Sequence, residues 1–356
     1  MIGTIHPVRG VVIVVVALPL AAAAAFIVAK LGGGDADRPL RWLRYILAAE
    51  IVAVLLAGTV GYLYEHRARA RDASLYRSPG RLIDVGGYRL HLNCTGDAGP
   101  TVVLEYGLEG SYFDWYRVQP EVARFARVCS YDRAGYGWSD ISPRTRVPSV
   151  MADELHTVLR NAGEKPPYIL VGHSYGSAVA QMFAHKFPEK TAGLVLVDGV
   201  HLRQSPVFPL SHRLWLRFMQ WTMPFGLPRW RHWCAGAPPE FRNIAEAGNC
   251  RSRAYAAFYR EWSQLSSAAA EMQDVASLGD VPLVVITRDP ALGHDAVEET
   301  RHTQQQRDAL KLSSNSRLII AEGSGHDIPL VRPDVIIDAV RGLVKPQEPA
   351  GSRETL

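Results

Sequence analysis

Apolar and polar residues are arranged in two distinct patterns along this chain. Residues 81–94, RLIDVGGYRLHLNC, alternate apolar and polar positions on both sides of Gly86-Gly87, which predicts a β-hairpin. Further along, short apolar runs rich in β-branched residues recur, at 101–107, 127–132, 168–174, 193–199, 281–289 and 316–323. Because strands buried on both faces have this composition, we predict a mainly parallel sheet flanked by helices, an α/β fold.

Amphipathic segments with caps and breakers separate most of these runs. They predict helices over 117–126, 149–162, 175–187, 296–312 and 333–344. Residues 200–280 break the alternation, because they contain five of the eight tryptophans but no convincing strand, and they are too many for a connecting loop. We therefore predict a helical cap over 200–280, a core formed by 81–199 and 281–345, and a tail over 346–356.

The amino-terminal quarter is more apolar than the rest. Residues 11–31 and 43–64 are each long enough, at about 1.5 Å per residue, to span a bilayer core of roughly 30 Å. We therefore predict two transmembrane helices within 1–66 and a juxtamembrane linker over 67–80, and we expect a bacterial plasma membrane as the location. A cleaved signal peptide is the alternative, which the second span disfavours. Lys and Arg near the membrane number five on one side and four on the other, so the orientation stays open.

The composition of the chain limits which kinds of molecule it is expected to bind. The chain has 356 residues, 47% hydrophobic and 21% charged, and a net charge of +4 without a long basic run. These values exclude a disordered chain and argue against a nucleic-acid partner.

The four cysteines form no CxxC pair and no spacing that suits zinc, so no metal site is expected. Cys129 is expected to act as a small buried hydrophobe. Cys234 and Cys250 are close enough in sequence to be bridged in an oxidising compartment, a question that the sequence leaves open.

The first candidate catalytic residue lies within residues 170–177, LVGHSYGS. A predicted strand passes there through a Gly-x-Ser-x-Gly pattern, centred on Ser174, into a helix. Ligands of parallel sheets bind beyond the carboxyl ends of the strands. A sharp turn between a strand and a helix also requires small neighbouring residues. Ser174 is either an ordinary helix cap or a nucleophile, and this context favours the nucleophile.

A serine hydroxyl needs a base, and histidine suits that role near neutral pH. His326 follows the last predicted strand in AEGSGHDIPL, which is the expected place for such a base. His173 is expected to point away from Ser174, and His91 is expected at the surface of the hairpin.

A carboxylate should fix the tautomer of the histidine. Asp198 ends one apolar strand and Asp289 ends the next, with Asp295 as a weaker candidate, so the residues alone leave the choice open. The oxyanion of the reaction needs backbone donors. The N–H of Tyr175, at the helix start, and the N–H of Leu108, in the loop EYGLEGS, are predicted to supply them.

Several of these segments, in order, resemble the α/β-hydrolase superfamily between Arg81 and Val344: TVVLEYGLEGS, YDRAGYGWSD, YILVGHSYGS, GLVLVDG and NSRLIIAEGSGHDIPLVRPD. The resemblance implies the α/β-hydrolase fold and a serine hydrolase without a cofactor. Some members, haloalkane dehalogenases among them, carry the acid at the position of Asp198, which favours Asp198 over Asp289. Because the nucleophile position holds serine rather than aspartate, epoxide hydrolase and dehalogenase chemistry are disfavoured.

The sequence thus predicts a membrane-anchored serine hydrolase that cleaves a small-molecule carboxylic ester through an acyl-enzyme. The apolar anchor and the tryptophans make a lipid-derived ester a candidate substrate. Two alternatives remain: a catalytically silent fold acting as a membrane-bound binding or signalling module, and an acyltransferase using the same triad.

Overall fold

The computed structural model describes residues 37–200, 210–234, 241–293 and 295–344. They belong to two compact units. The first comprises the described residues up to Ala70 together with Pro224–Leu227, and the second comprises Arg71–Met223 and the residues from Pro228 onward.

Helix α1, Asp37–Leu75, provides most of the first unit. Its segment Arg41–Leu75 is long and apolar enough to cross a membrane, and it is the one such helix among the described residues. Side chains such as Ile51 and Leu55 are 60% and 64% exposed, so this helix does not bury its apolar surface within the protein. It contains the predicted span 43–64, whereas the other predicted span, 11–31, lies outside the described residues.

Residues 67–75 extend helix α1 into the segment that the sequence predicts as a linker. The reason is local, because RARARDASL contains no glycine or proline and several good helix formers. The irregular part of the predicted linker is therefore limited to the residues between Leu75 and the first strand.

The second unit is built on an eight-stranded sheet with the order β1-β2-β4-β3-β5-β6-β7-β8. Strands β1 and β2 form the predicted hairpin, both β1/β2 and β2/β4 pair antiparallel, and all other pairs are parallel. The strands are β1 Arg81–Asp84, β2 Arg89–Thr95, β3 Thr101–Glu105, β4 Arg127–Tyr131, β5 Tyr168–His173, β6 Thr191–Val197, β7 Leu283–Arg288 and β8 Ser316–Ala321.

Helices connect and cover these strands. They are α2 Gln119–Val122, α3 Pro148–Ala162, α4 Gly176–Lys186, α5 Leu210–Thr222, α6 Leu227–Trp230, α7 Arg242–Asn249, α8 Ser252–Ser263, α9 Leu265–Glu271, α10 Ala296–Leu310, α11 Ile328–Val331 and α12 Pro333–Val344. The described residues of the predicted cap contain α5 to α9 and no strand.

The sheet separates two hydrophobic clusters. Val103 and Leu170 point into one cluster, which also holds the buried faces of α3 and α4 and part of the cap. Val102 and Ile169, their neighbours along the strands, point into the other, which includes the buried face of α12. This alternation explains why the sequence of these strands is apolar at successive positions.

Polar contacts join the cap helix α8 to loops of the core. Arg260 donates to the carbonyl oxygen of Ser142 at 2.7 Å, and Arg253 donates to that of Gly137 at 2.7 Å. Glu261, on the same helix, accepts two hydrogen bonds from the buried side chain of Arg133 at 3.0 and 2.9 Å. Helix α8 is therefore fixed to the core by charge-assisted hydrogen bonds as well as by packing.

All four cysteines are paired in disulfides. Cys94 and Cys129 face each other on the antiparallel strands β2 and β4, and Cys234 and Cys250 are joined within the cap. The expectation that Cys129 is only a small hydrophobe is therefore wrong, because strand pairing brings Cys94 next to it. The sulfurs of Cys94 and Cys129 form with Glu164 the one candidate group of metal ligands in the described residues, but sulfurs bonded to each other are not thiolates.

We predict that the Cys234–Cys250 bridge stabilises the cap. It joins residues separated by 16 positions, and closing a loop of that length constrains the unfolded chain by about 3 kcal/mol. The double variant Cys234→Ser, Cys250→Ser should lose about that free energy of unfolding in denaturant titrations in one detergent. Equal unfolding midpoints for the variant and the parent would contradict the prediction.

Candidate active site

Ser174 lies at the tight turn between β5 and α4. Its φ angle is 52°, in the left-handed region that residues with a β-carbon seldom adopt. Its N–H donates to the carbonyl oxygen of Val197 at 2.9 Å, and its own carbonyl accepts from Ser177 and Val200 at 3.1 Å each. These backbone bonds hold the turn in place.

Two glycines make the turn possible. A β-carbon on Gly172 would lie 2.6 Å from the carbonyl oxygen of Gly176, and one on Gly176 would lie 2.4 Å from that of Glu105 on β3. Both distances are far below van der Waals contact. The Gly-x-Ser-x-Gly pattern is thus a steric requirement of this bend.

Ser174, His326 and Asp198 are joined by two hydrogen bonds. Oγ of Ser174 lies 3.0 Å from Nε2 of His326, and Nδ1 of His326 lies 2.6 Å from Oδ2 of Asp198. The carboxylate of Asp198 can only accept, so Nδ1 carries the hydrogen and Nε2 is free to accept from the serine hydroxyl. The structure therefore brings together the three side chains singled out in the sequence.

Asp198 is buried and surrounded by donors. A second histidine, His302 on α10, places Nε2 2.7 Å from Oδ1, and the backbone N–H of Arg288 donates to the same oxygen at 3.1 Å. Burial alone would raise the pKa of Asp198, but the hydrogen bonds from His302 and His326 outweigh it and hold the pKa well below its usual range. The carboxylate of Asp198 is therefore ionised at neutral pH.

Asp289, the alternative acid, has a different environment. It begins a 3₁₀ helix, where its carboxylate accepts from the N–H groups of Ala291 and Gly323 at 2.9 Å each. Asp295 likewise caps helix α10. Both side chains fill the ordinary capping role of an aspartate at the start of a helix.

Two other histidines differ from their expected positions. His173 does not point away from the site, because its Nε2 lies 2.9 Å from the carbonyl oxygen of His326. Burial, with a smaller contribution from His326, lowers the pKa of His173 to about 4, so it is neutral and donates there. His91 is fully buried rather than at the surface, with Nδ1 2.7 Å from Asp132, because its position on β2 faces the core.

The loop after β3 lies against the serine. A β-carbon on Gly107 would stand 3.0 Å from Cβ and 3.5 Å from Oγ of Ser174, so a side chain there would crowd the serine. Leu108 follows directly, and Tyr175 is the amino-terminal cap residue of α4, where the first N–H groups have no intrahelical acceptor. Both predicted oxyanion donors thus adjoin Ser174 in the chain or in space.

Backbone strain is concentrated at this site. Four non-glycine residues in the described part of the chain have positive φ, and three of them are Glu109, Ser174 and Asp198. Such conformations cost of order 1–3 kcal/mol each and persist where surrounding structure enforces them. The strain therefore marks the same three loops that the sequence motifs mark.

Arg133 and Glu261 have no role in the sequence predictions. The guanidinium of Arg133 is fully buried and donates to the carbonyl oxygens of Tyr106 and Gly107 at 2.7 and 2.9 Å. The one available signal is an arginine directly after the buried run 127–132. His302 gives no comparable signal, because it lies within an amphipathic helix.

A cavity of about 310 Å³ is lined by the loop after β3, by the chain neighbours of Ser174 and His326, and by part of the cap. Its lining includes Leu108, His173 and Asp327, together with cap side chains such as Tyr255 and Phe258. The remaining lining residues are Glu109, Gly110, Asp114, Tyr136, Trp233, Cys234, Asn249, Ala254, Pro329 and Leu330. The described lining contains three carboxylates and neither lysine nor arginine.

Two of the carboxylates in the cavity have raised pKa values. The side chain of Glu109 is exposed, but the protein packed around its carboxylate partly desolvates it and raises the pKa of Glu109 to about 7. Desolvation likewise raises the pKa of Asp114 to about 7 despite a hydrogen bond from the backbone N–H of Ser111. The cavity therefore gains negative charge as the pH rises through neutrality.

Comparison with known proteins agrees with this architecture. A family model described as alpha/beta hydrolase fold matches residues 100–238. The chain is 28% identical to an AB hydrolase superfamily protein of Gibberella zeae, over 69% of this chain and 86% of that protein. It is 27% identical to the uncharacterized protein YbdG of Bacillus subtilis, over 48% of this chain and 53% of that protein, about half of its length.

A solved structure has the same fold. The crystal structure of Cfl2 from Burkholderia cenocepacia superposes with a TM-score of 0.60, at 22% identity, and the match covers 74% of this chain and 95% of that one. At this identity the likeness concerns the fold alone.

We predict that the turn at Ser174 does not tolerate a β-carbon at Gly176. The clash is with the backbone of β3, which cannot rotate away, so Gly176→Ala should lower the free energy of unfolding by about 1–3 kcal/mol. Gly248→Ala is the matched control, since its nearest atom would be 3.9 Å away within helix α7, and alanine there should be neutral or stabilising. Equal denaturant midpoints for the two variants would contradict the prediction.

Proposed function

The chain belongs to the α/β hydrolase superfamily, and on that basis we propose that it is a serine hydrolase that cleaves a carboxylic ester through an acyl-enzyme intermediate. The observation that carries the proposal is the pair of hydrogen bonds from Ser174 through His326 to Asp198, 3.0 and 2.6 Å long. A hydroxyl in this setting has both a base and a buried anion behind that base.

In the acylation step, Oγ of Ser174 attacks the ester carbonyl while its proton passes to Nε2 of His326. The ionised carboxylate of Asp198 stabilises the resulting imidazolium and fixes its orientation. His302 and the N–H of Arg288 hold Asp198 from the side opposite His326, since they bind Oδ1 and His326 binds Oδ2. The alcohol leaves with the proton from His326.

The tetrahedral intermediate carries its negative charge on the former carbonyl oxygen. The backbone N–H groups of Leu108 and Tyr175 are the proposed donors, and removing one such donor typically lowers the rate by about 10² to 10³. Water then attacks the acyl-enzyme with His326 again as base, and the acid product departs. No step requires a cofactor.

The cavity favours a small ester that is neutral or positively charged. A volume of about 310 Å³ is at the low end for ligand pockets, which hold roughly 300–1,000 Å³. Glu109, Asp114 and Asp327 in its lining would repel an anionic group, whereas the aromatic side chains of Tyr255 and Phe258 in the lining are compatible with a cation. A lipid-derived ester is the alternative substrate, favoured by the exposed apolar surface of helix α1.

We further propose that helix α1 anchors the enzyme in a membrane and that the catalytic unit faces an oxidising compartment. Helix α1 supplies one candidate span, and the predicted span 11–31 would supply a second. Disulfides form and persist outside reducing cytosol, and both Cys94–Cys129 and Cys234–Cys250 are bonded here. In a bacterium this compartment lies outside the plasma membrane.

Covalent labelling tests the proposal against a catalytically silent binding module. A fluorophosphonate probe should label the parent at Ser174 and should not label Ser174→Ala, because only an activated serine reacts. Thermal unfolding of both proteins serves as the folding control. A folded parent that takes up no label would contradict the proposal and support the binding module.

Comparison of two acid variants tests the assignment of Asp198. Asp198→Asn should lower kcat for a p-nitrophenyl ester by about 10⁴, because the amide no longer fixes the tautomer of His326. Asp289→Asn should retain nearly full activity, since Asp289 only caps a short helix. The reverse ranking would make Asp289 the catalytic acid.

A matched ester series tests the substrate class. Acetylcholine and its neutral isostere 3,3-dimethylbutyl acetate differ in one positive charge. The KM of the cationic ester should fall about fivefold from pH 6 to pH 8, as Glu109 and Asp114 ionise near pH 7. The KM of the neutral ester should change much less, and equal pH dependence for both would contradict a cation-selective cavity.

Chain length separates small esters from lipid-derived ones. With p-nitrophenyl acetate, butyrate and octanoate, a cavity of this size should favour the shorter acyl groups. A clear preference for octanoate would instead support the lipid-derived ester. Added alcohols and amines that capture the acyl group in preference to water would indicate an acyltransferase.

A further inference from the structure

Arg133 makes an extensive set of contacts that the proposed reaction does not explain. Its guanidinium is fully buried just after β4 and forms five hydrogen bonds, as many as it has N–H donors. Two of the acceptors are the carbonyl oxygens of Tyr106 and Gly107, and the others belong to the carboxylates of Glu105 on β3 and Glu261 on α8. The backbone N–H of Arg133 also donates to the hydroxyl of Tyr106 at 2.6 Å.

The contact with Gly107 fixes the direction of a neighbouring donor. The carbonyl of Gly107 and the N–H of Leu108 belong to one peptide group, which is planar and trans, so the two point in opposite directions. Holding the carbonyl at 2.9 Å from Arg133 therefore sets where the N–H points. This peptide lies beside the nucleophile, since a β-carbon on Gly107 would be 3.5 Å from Oγ of Ser174.

We infer that Arg133 is a positioning residue for the oxyanion hole and that Glu261 holds it there from the cap. The inference rests on the proposed function. Arg133 does not touch the reacting atoms and acts through the N–H of Leu108. Tyr255 and Phe258, which line the cavity, are on the same helix as Glu261, so the helix that lines the cavity also holds the residue that sets the geometry of the hole.

The chemistry of the site requires an arginine. The planar guanidinium can bind Glu261 through Nε and Nη2 while its remaining N–H groups reach the loop carbonyls and Glu105. A lysine has the same charge but only three donors on one nitrogen, so it cannot make these contacts together. Arg133→Lys therefore removes the positioning while it keeps a buried cation beside Glu105 and Glu261.

Paired oxoester and thionoester substrates measure the hole directly. Sulfur is a weak hydrogen-bond acceptor, so the hole accelerates the thionoester less than the oxoester. For Arg133→Lys we expect kcat on the oxoester to fall about 10²-fold, as on losing one oxyanion donor, with KM within about threefold. The thionoester should be affected far less, so the ratio of the two rates should fall about tenfold.

Two further variants separate positioning from stability. Glu261→Gln keeps the shape of the clamp without its charge and should lower the same ratio by a smaller factor, and it decides the question if Arg133→Lys does not fold. Arg127→Lys is the matched control, because Arg127 at the opposite end of β4 binds Glu164 twice, at 2.6 and 2.7 Å, and the carbonyl oxygen of Gly96 at 2.9 Å. It should change stability but not the ratio.

The outcomes separate the two proposals. A parent that hydrolyses neither ester would overturn the serine hydrolase and this inference with it. An active parent whose rate ratio is unchanged in folded Arg133→Lys, or in Glu261→Gln where Arg133→Lys does not fold, would overturn only the positioning role. An equal fall of the ratio in Arg127→Lys would overturn it as well, because the effect would then be a general loss of rigidity.

Discussion

The close approach of helix α4 to strand β3 is the constraint on which the site depends. At Gly176 the two backbones leave no room for a β-carbon, whose nearest neighbour would be a carbonyl oxygen 2.4 Å away. The chain can enter that contact only through a sharp reversal at Ser174, and the same reversal places Ser174 beside the loop that follows β3. A hydroxyl, a helix amino terminus and a glycine loop meet because these two elements pack without side chains between them.

Buried charge forms a second level of organisation. Arg133, Glu105 and Glu261 are fully or almost fully removed from water, and burial raises the pKa of Glu105 to about 7 even though Arg133 opposes that shift. Removing one member of such a group leaves an uncompensated charge, which is strongly destabilising. These buried charges therefore fix the position of the cap on the core more specifically than apolar packing does, because apolar packing tolerates volume-conserving substitution.

The sequence predicts those features of the site that depend on a local pattern of residues. Strands buried on both faces are continuous apolar runs, so their positions and the polar residues at their ends can be located without coordinates. The distances between strand ends cannot be derived from the sequence. For that reason Asp198 and Asp289 are equivalent candidates in the sequence, whereas in the structure Asp198 contacts His326 and Asp289 caps a helix. The Cys94–Cys129 bond depends likewise on the pairing of two strands that are distant in the chain.

Ser174 has a left-handed φ of 52°, so the residue that suits the backbone best at this position differs from the residue that the reaction requires. Glycine adopts this conformation freely, whereas a residue with a β-carbon is disfavoured there by roughly 1–2 kcal/mol. A glycine at this position would relax the bend and delete the hydroxyl. The conformationally preferred residue at this position is therefore not the one that could react, and selection for heat resistance alone would favour an inert glycine variant here.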